Sequence, residues 1–445
     1  MPQCIKYPVL CLVLKRCQME TCSLEKLKSL QLARFKTTLK RVYDNVEIYR
    51  NKMRDAGIKP EDIQNHGDIR HLPFTTKQDL RDTYPYGMLC VPKSDIVRYH
   101  TSSGTTGQRT AVGFSKRDID VMADTVARSL HTAGCTKDSV IHNAYAYGLF
   151  TGGLAAHYGG EKLGATVLPV STGNTSGQVQ LLKDFQADTL LCTPAYSLYL
   201  ADEIKKLGLT LSDFNLRRGI FGAEWWTEEM RAEIEKRFGI EAYNIYGLSE
   251  LGGPGVSVEC ECRNGSHIWE DRVLPEIIDP KTTEVLSDEQ QGELVMSNFS
   301  EGMPVIRYRT RDITSLNHDP CDCKRTHLRM NRIVGRSDDM LIIGGANVYP
   351  SQIETVLLSS MFADYIEPHY QIIAERKDNR DSLEVQVEIK RELVGDTMSH
   401  ALQDTIKQIM TSATGINTKI TLLPPGSLER SEGKVKRVID DRQKS

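Results

Sequence analysis

The sequence predicts a large α/β N-terminal domain with parallel-rich sheets, followed by a small α+β C-terminal domain. Three observations lead there. At 445 residues the chain is too long for one core and should divide into two or three domains. From about residue 139, short apolar runs alternate with helix-like segments, the pattern of a parallel sheet covered by helices. After Gly335 the character changes. Leu383, Val385, Val387 and Ile389 alternate strictly with Glu384, Gln386, Glu388 and Lys390, which describes a strand with one buried and one wet face.

The elements follow in chain order. Ile5 to Leu14 is apolar, but Lys6 and Pro8 interrupt it and no small-residue cleavage site follows, so residues 1–20 read as a nonstandard extension. Met19 is an alternative first residue. Leu24, Leu27, Leu30, Phe35, Leu39 and Val42 recur at helical spacing and predict an amphipathic helix over 23–45. A loop-rich region then runs to an Ile96-Val97 strand end. Strands are expected at Val140-Ile141, Thr166–Val170 and Thr189–Cys192, with helices at Gln178–Phe185, Ser197–Leu207 and Glu228–Phe238. The last is well marked: Thr227 can cap it, Glu228 and Glu229 fill its first turn, Lys236 and Arg237 its last, and Gly239 stops it. Ser351 and Glu354 have capping-box spacing and predict a helix opening after Pro350.

Composition narrows the function. A net charge of −3 lacks the basic footprint of a nucleic-acid or membrane-surface protein, and no apolar stretch is long enough to span a bilayer. Eleven cysteines cannot all pair within one chain, and several form close pairs, so a reducing, cytoplasmic setting is expected.

The most telling segment is Ser102-Ser103-Gly104-Thr105-Thr106-Gly107. Its hydroxyls, backbone N–H groups and glycines suit an anion, usually phosphate, rather than a packed core. It is not the P-loop, which continues into Lys and then Ser or Thr; here Gln108-Arg109 follows.

The same loop opens a series. Ser102–Gly107, Tyr246-Gly-Leu-Ser-Glu250, Tyr308-Arg-Thr-Arg-Asp312, Gly335-Arg-Ser-Asp-Asp339 and Ser431-Glu-Gly-Lys434 occur in the order of the signature motifs of adenylate-forming enzymes. The stretches Tyr147–Gly153, Ile306–Ile313, Asp339–Ile343 and Asn347–Pro350 resemble, within that superfamily, the phenylacetate–CoA ligase family. The resemblance runs from about Ser23 to the C-terminus.

That resemblance implies an ATP-dependent ligation of an aryl-acetic acid, phenylacetate above all, to coenzyme A through an acyl-adenylate. It also implies a large domain over 21–335 and a small mobile domain over 336–445, hinged near Asp338. Because a carboxylate must attack the α-phosphate of ATP, the enzyme has to supply positive charge and hold two anions in line. By resemblance, Ser102, Ser103, Gly104, Thr105, Thr106 and Gly107 hold the β- and γ-phosphates, and Glu250 ligates Mg²⁺. Glu224, Tyr246 and Ser249 lie on the nucleotide side, Asp312 binds the ribose hydroxyls, and Arg336 sits near ribose or phosphates. An ion pair of Asp312 with Arg309 or Arg311 is a structural role compatible with this one. Lys434 is the catalytic lysine, with Lys436 and Arg437 as competitors. Tyr147, Phe150, Ala223 and Pro254 line the acyl site, with Gly152 and Gly153 making room for a ring.

A second metal is expected. Cys321 and Cys323 at Cys-x-Cys spacing, with Cys260 and His267 from a separate loop, form a closed S₃N set suited to structural Zn²⁺. Cys262 could replace Cys260, and His318 or His327 could replace His267. Two departures stand out: Gln108-Arg109-Thr110 follows the glycine loop where Lys-Pro-Thr is usual, and Gly344 replaces a usual Arg. Alternatives remain: a different carboxylic acid, a non-CoA acceptor, or a nucleotide-sensing or zinc-dependent interaction protein. Small-molecule partners are implied, with a homodimer left open.

Overall fold

The alternation after residue 139 becomes a nine-stranded sheet. A computed structural model describes residues 19–101, 109–343, 346–377, 380–394, 398–430 and 435–442. Its sheet runs, edge to edge, Leu316–Asn317, Arg329–Met330, Ser266–Ile268, Gly253–Glu259, Glu241–Leu248, Arg218–Gly222, Thr189–Cys192, Val140–Asn143 and Thr166–Leu168. The last five strands are parallel neighbours, and the antiparallel turn-back begins where Glu241–Leu248 meets Gly253–Glu259. Helices Thr151–Leu163, Thr175–Asp184, Pro194–Lys206 and Glu228–Phe238 connect the parallel strands. A four-stranded antiparallel sheet follows: Val273–Ile278, Gly292–Asn298, Tyr308–Thr314 and Gly335–Arg336.

Beyond residue 340 a separate apolar core forms. The hairpin Ile366–Lys377 with Arg380–Ile389 is flanked by parallel strands Thr418–Leu423 and Val438–Asp440. Leu383, Val385, Val387 and Ile389 point inward as their alternation requires, against Ile353, Leu357, Ile406 and Met410 of helices Pro350–Leu357 and Met398–Thr414. Among the described residues, no helix is long and apolar enough to cross a membrane.

Local signals set several boundaries. Ser23 caps the helix Leu24–Asn45. Thr227 accepts from Met230 N and Gly239, at φ 64°, ends the helix Glu228–Phe238. The loop-rich region 46–95 is interrupted by two short helices, Glu47–Asp55 and Lys77–Asp82, the first burying only Tyr49 and Met53. The helix after Pro350 forms, yet Tyr349 caps it and Tyr349 N donates to Gln352 Oε1 at 2.9 Å. Ser351 instead donates to Val334 O, and Glu354 is wholly buried elsewhere. Finally, Glu20, the last residue of the stretch read as a nonstandard extension, is bonded into the large domain. Its buried carboxylate takes Arg128 Nε at 3.0 Å and Arg325 Nε at 2.8 Å, and its carbonyl accepts from Thr326 N at 2.8 Å.

Candidate active site

The residues expected on the nucleotide side stand at or beside the carboxyl ends of the parallel strands, where an open α/β sheet forms its crevice. Strand Arg218–Gly222 ends before Ala223 and Glu224, and strand Glu241–Leu248 ends before Ser249 and Glu250. Asp312 and Arg336 face each other from paired strands. Tyr246 OH donates to Asp312 Oδ2 at 2.7 Å, and Arg336 Nη1 donates to Asp312 Oδ1 at 3.1 Å. The ion partner of Asp312 is therefore Arg336, rather than Arg309 or Arg311. Those two alternate to the opposite face of the strand and pair with Glu293, at 2.6 Å and 3.6 Å.

Tyr308, two turns of the pleat before Asp312, completes the group. Its hydroxyl donates to Glu250 Oε1 at 3.4 Å, and Asn298 Nδ2 holds the Glu250 carbonyl at 3.0 Å. Burial, then the neighbouring carboxylates, push the Tyr246 and Tyr308 phenols well up, so both remain donors. Ser249 Oγ is paired with Thr151 Oγ1 at 2.5 Å. Neither Tyr308 nor Thr151 was singled out from the sequence, although both stand inside motifs read there.

Glu224 is partly buried. Burial raises its carboxyl, while Arg437 and the N–H groups of Ala195 and Val435 hold it down; Ala195 N donates to Oε1 at 2.8 Å. Ala223 has φ 70°, an uncommon left-handed conformation for a residue with a side chain. Ser102 to Gly107 and Lys434 lie outside the described residues. Of Lys434's competitors, Lys436 is exposed and Arg437 is committed to Glu354, with Nη1 to Oε2 at 3.3 Å.

Of the residues expected to line the acyl site, Tyr147 OH accepts from Asn143 Nδ2 at 2.7 Å, and Pro254 lies opposite Gly247 in the antiparallel strand pair. Phe150 is 49% exposed, at the start of helix Thr151–Leu163. Gly153 does not make room for a ring: a Cβ there would meet the Ala146 carbonyl oxygen at 2.5 Å, so backbone approach requires the glycine. At Gly152 a Cβ would meet only Tyr145, at 3.9 Å.

Asp338 lies in the turn after Gly335–Arg336, its carboxylate held by Arg336 Nε and Nη2 at 2.9 and 3.0 Å. Farther out, Cys260, His267, Cys321 and Cys323 converge, with their ligand atoms all within 4.8 Å of one another. Cys260 Sγ and Cys321 Sγ are 3.7 Å apart, and His267 Nε2 is 3.2 Å from Cys323 Sγ. His267 Nδ1 donates to the His327 carbonyl at 3.0 Å, which leaves Nε2 its lone pair. Cys323 is held far below the usual thiol range by the Cys260 hydrogen bond first, then by His267 and Arg325, and Cys260 is pushed up in turn. The two alternative histidines are engaged elsewhere: His318 binds Asp288 at 2.6 Å, and His327 accepts from Glu270 N at 3.0 Å within the core.

Residues 9–300 match the family model of the AMP-binding enzymes, and residues 345–442 match that of the AMP-binding enzyme C-terminal domain. The chain is 46% identical to phenylacetate-coenzyme A ligase of Thermus thermophilus, covering 96% of this chain and 99% of that one. It is 49% identical to the Escherichia coli protein of the same name, covering 95% and 96%.

The chain belongs to the phenylacetate–CoA ligase family of AMP-binding enzymes. Members are ligases joining an acid to a thiol, and this chain has the family's large α/β part and its C-terminal domain. A crystal structure of 2-hydroxyisobutyryl-CoA ligase in its postadenylation state superposes with TM-score 0.89 at 26% identity, over 96% of this chain and 92% of that one. The same ligase in its thioesterification state, with CoA, gives 0.71 at 27% identity over the same shares. The two parts of this ligase-family chain are therefore arranged more nearly as in the first state.

Proposed function

We propose that the chain ligates phenylacetate to coenzyme A in two steps, with ATP as the activating substrate. A phenylacetate carboxylate oxygen attacks the α-phosphorus of ATP, giving phenylacetyl-adenylate and releasing diphosphate. The CoA thiol then attacks the acyl carbonyl, and AMP leaves with the carboxylate oxygen it gained. The observation that carries this reading is the convergence of Tyr246, Glu250, Asp312 and Arg336, drawn from three separate motifs, beside the ends of the parallel strands.

Each residue then has a task. Asp312, oriented by Tyr246 and Arg336, accepts from the ribose hydroxyls and fixes the nucleotide. Glu224 and Tyr246 border the adenine, and Ser249 sits beside Glu250. Lys434 brings positive charge to the carboxylate and α-phosphate, and Ser102 to Gly107 hold the outgoing phosphates. Tyr147, Ala223, Pro254 and Phe150 border the acyl site. Residues beyond Gly335 form a small domain that turns about Asp338 between the two steps.

Two metals fit the residues present. Glu250 Oε2 has no protein hydrogen bond among the described residues, so it is free for Mg²⁺ carried by the nucleotide, which would neutralise triphosphate charge. The Cys260–Cys321 separation of 3.7 Å is close to the about 3.8 Å edge of a tetrahedron with roughly 2.3 Å Zn–S bonds. Zn²⁺ there would clamp the loop after Glu250 to the loop after Asp312 without joining the chemistry.

A panel of carboxylic acids scored for CoA-dependent AMP release tests the reading. Phenylacetate should give the highest kcat/KM and a thioester product. AMP release that is indifferent to CoA, or strongest with a non-aromatic acid, would overturn the substrate assignment.

A further inference from the structure

Between the two parts of the chain lies a charged joint that the chemistry above does not use. Glu354, on the helix Pro350–Leu357, is wholly buried, yet its carboxylate is fully provided with donors. Thr227 N, from the large part, donates to Oε1 at 3.1 Å. Tyr370 OH donates to Oε2 at 2.6 Å, and Arg437 Nη1 lies 3.3 Å from Oε2, both from the small part. Arg437, itself 8% exposed, stacks 5.7 Å from the Trp225 ring and 5.3 Å from the Tyr370 ring. Its charge also acts on Glu224, which accepts the Val435 N–H.

The joint has a directional consequence. The contacts of Tyr370 and Arg437 with Glu354 are internal to the small part and survive any rigid rotation of it. Those of Glu354 with Thr227, of Arg437 with Trp225, and of Val435 with Glu224 cross to the large part and exist only in this arrangement. A second set crosses nearby, Arg237–Glu367 at 3.1 Å and His369–Asp202 at 3.0 Å, but it is more exposed and so worth less. The buried joint lies on the short stretch of chain that follows Lys434.

We propose that Arg437 is a positioning residue for adenylation: by joining Glu354 to the Glu224–Trp225 corner, it holds the small domain in the pose that serves the first step and not the second. This rests on the two-step reading above. Arg437 touches no reacting atom. It acts through the placement of the domain that carries Lys434, so its loss should weigh on one half-reaction.

The test separates the half-reactions in the full-length enzyme. Arg437→Gln should lower the kcat of ATP–pyrophosphate exchange by at least about tenfold, with KM for ATP and phenylacetate kept within about twofold. Thioester formation from supplied phenylacetyl-adenylate should be unchanged or faster. Arg437→Lys should recover part of the loss, and small-angle scattering of Arg437→Gln should move away from the curve of the present arrangement. If Arg437→Gln fails to fold, Tyr370→Phe, which removes one donor to Glu354, should give the same split at smaller size. Equal losses in both half-reactions, or no loss in a folded variant, would overturn the proposal. Lys434→Ala run alongside keeps the two levels apart: exchange that survives it refutes the role of Lys434, whereas exchange lost with it but kept in Arg437→Gln refutes the joint alone.

Discussion

Arg336 ties Asp312 to Asp338: one guanidinium nitrogen reaches the Asp312 carboxylate at 3.1 Å while Nε and Nη2 hold Asp338 at 2.9 and 3.0 Å. The residue assigned to ribose and the residue assigned to the hinge thus share one partner. Burial works against the charge on Arg336, but Asp312, Asp338 and Asp339 more than offset it, so the cation is fixed in place.

Asp312→Ala removes an acceptor from both Tyr246 and Arg336 as well as from the nucleotide. With charge-assisted hydrogen bonds worth about 1.5–3 kcal/mol, KM for ATP should rise by about 10-fold to 100-fold. Steady-state kinetics at saturating phenylacetate and CoA measures it. An unchanged KM would place the ribose elsewhere.

Asp338→Pro fixes φ near about −65° in the turn between the two cores and removes the partner of Arg336 Nε. Pyrophosphate exchange should survive, since the present arrangement resembles the postadenylation state, while thioester formation from supplied adenylate should collapse. Modest equal losses would place the hinge at another residue.

Elemental analysis should find about one Zn²⁺ per chain, lost in the Cys321→Ser/Cys323→Ser double variant together with several degrees of Tm. Fully active, metal-free protein of unchanged Tm would contradict a structural metal at Cys260, His267, Cys321 and Cys323.

Burial raises Glu270 from 4.5 to about 7, against the opposing hydrogen bond from Leu328 N. A carboxyl with a raised folded pKa keeps its proton longer in the fold than in the unfolded chain. Stability therefore falls as pH rises from about 4.5 to about 7 and levels off above, by about 3 kcal/mol in all. Glu270→Gln should cancel that slope, so its stability relative to wild type should improve between pH 5 and pH 8 in denaturant titrations. His327, lowered to about 4 by burial and then by Arg128, stays neutral in the fold across this range. A difference that is flat with pH would mean that Glu270 is ionised in the fold.

The sequence was most legible where a local signal decides the outcome. The helix Glu228–Phe238 begins and ends where Thr227 and Gly239 place it, because capping needs only neighbours in the chain. The inward set Leu383, Val385, Val387 and Ile389 followed from alternation alone. Ser351 and Glu354 misled for the opposite reason: they have capping spacing, but Glu354 belongs to a buried joint whose partners Thr227 and Arg437 are distant in sequence. Gly153 had the same fault, its constraint being the Ala146 carbonyl rather than a ligand. Within the site, motif order pointed to Asp312, Tyr246, Glu250 and Arg336. Tyr308 and Arg437 stood in plain view beside them, but only their contacts with Glu250 and Glu354 distinguish them from ordinary core and surface residues.

The central claim is that activation passes through an acyl-adenylate formed at the α-phosphorus of ATP. Phenylacetate labelled with ¹⁸O in its carboxylate tests it most directly, with both nucleotide and phosphate products read by mass spectrometry. The account predicts one ¹⁸O in AMP for each thioester made, with none in diphosphate. Label appearing in inorganic phosphate alongside ADP, or unlabelled AMP, would contradict it.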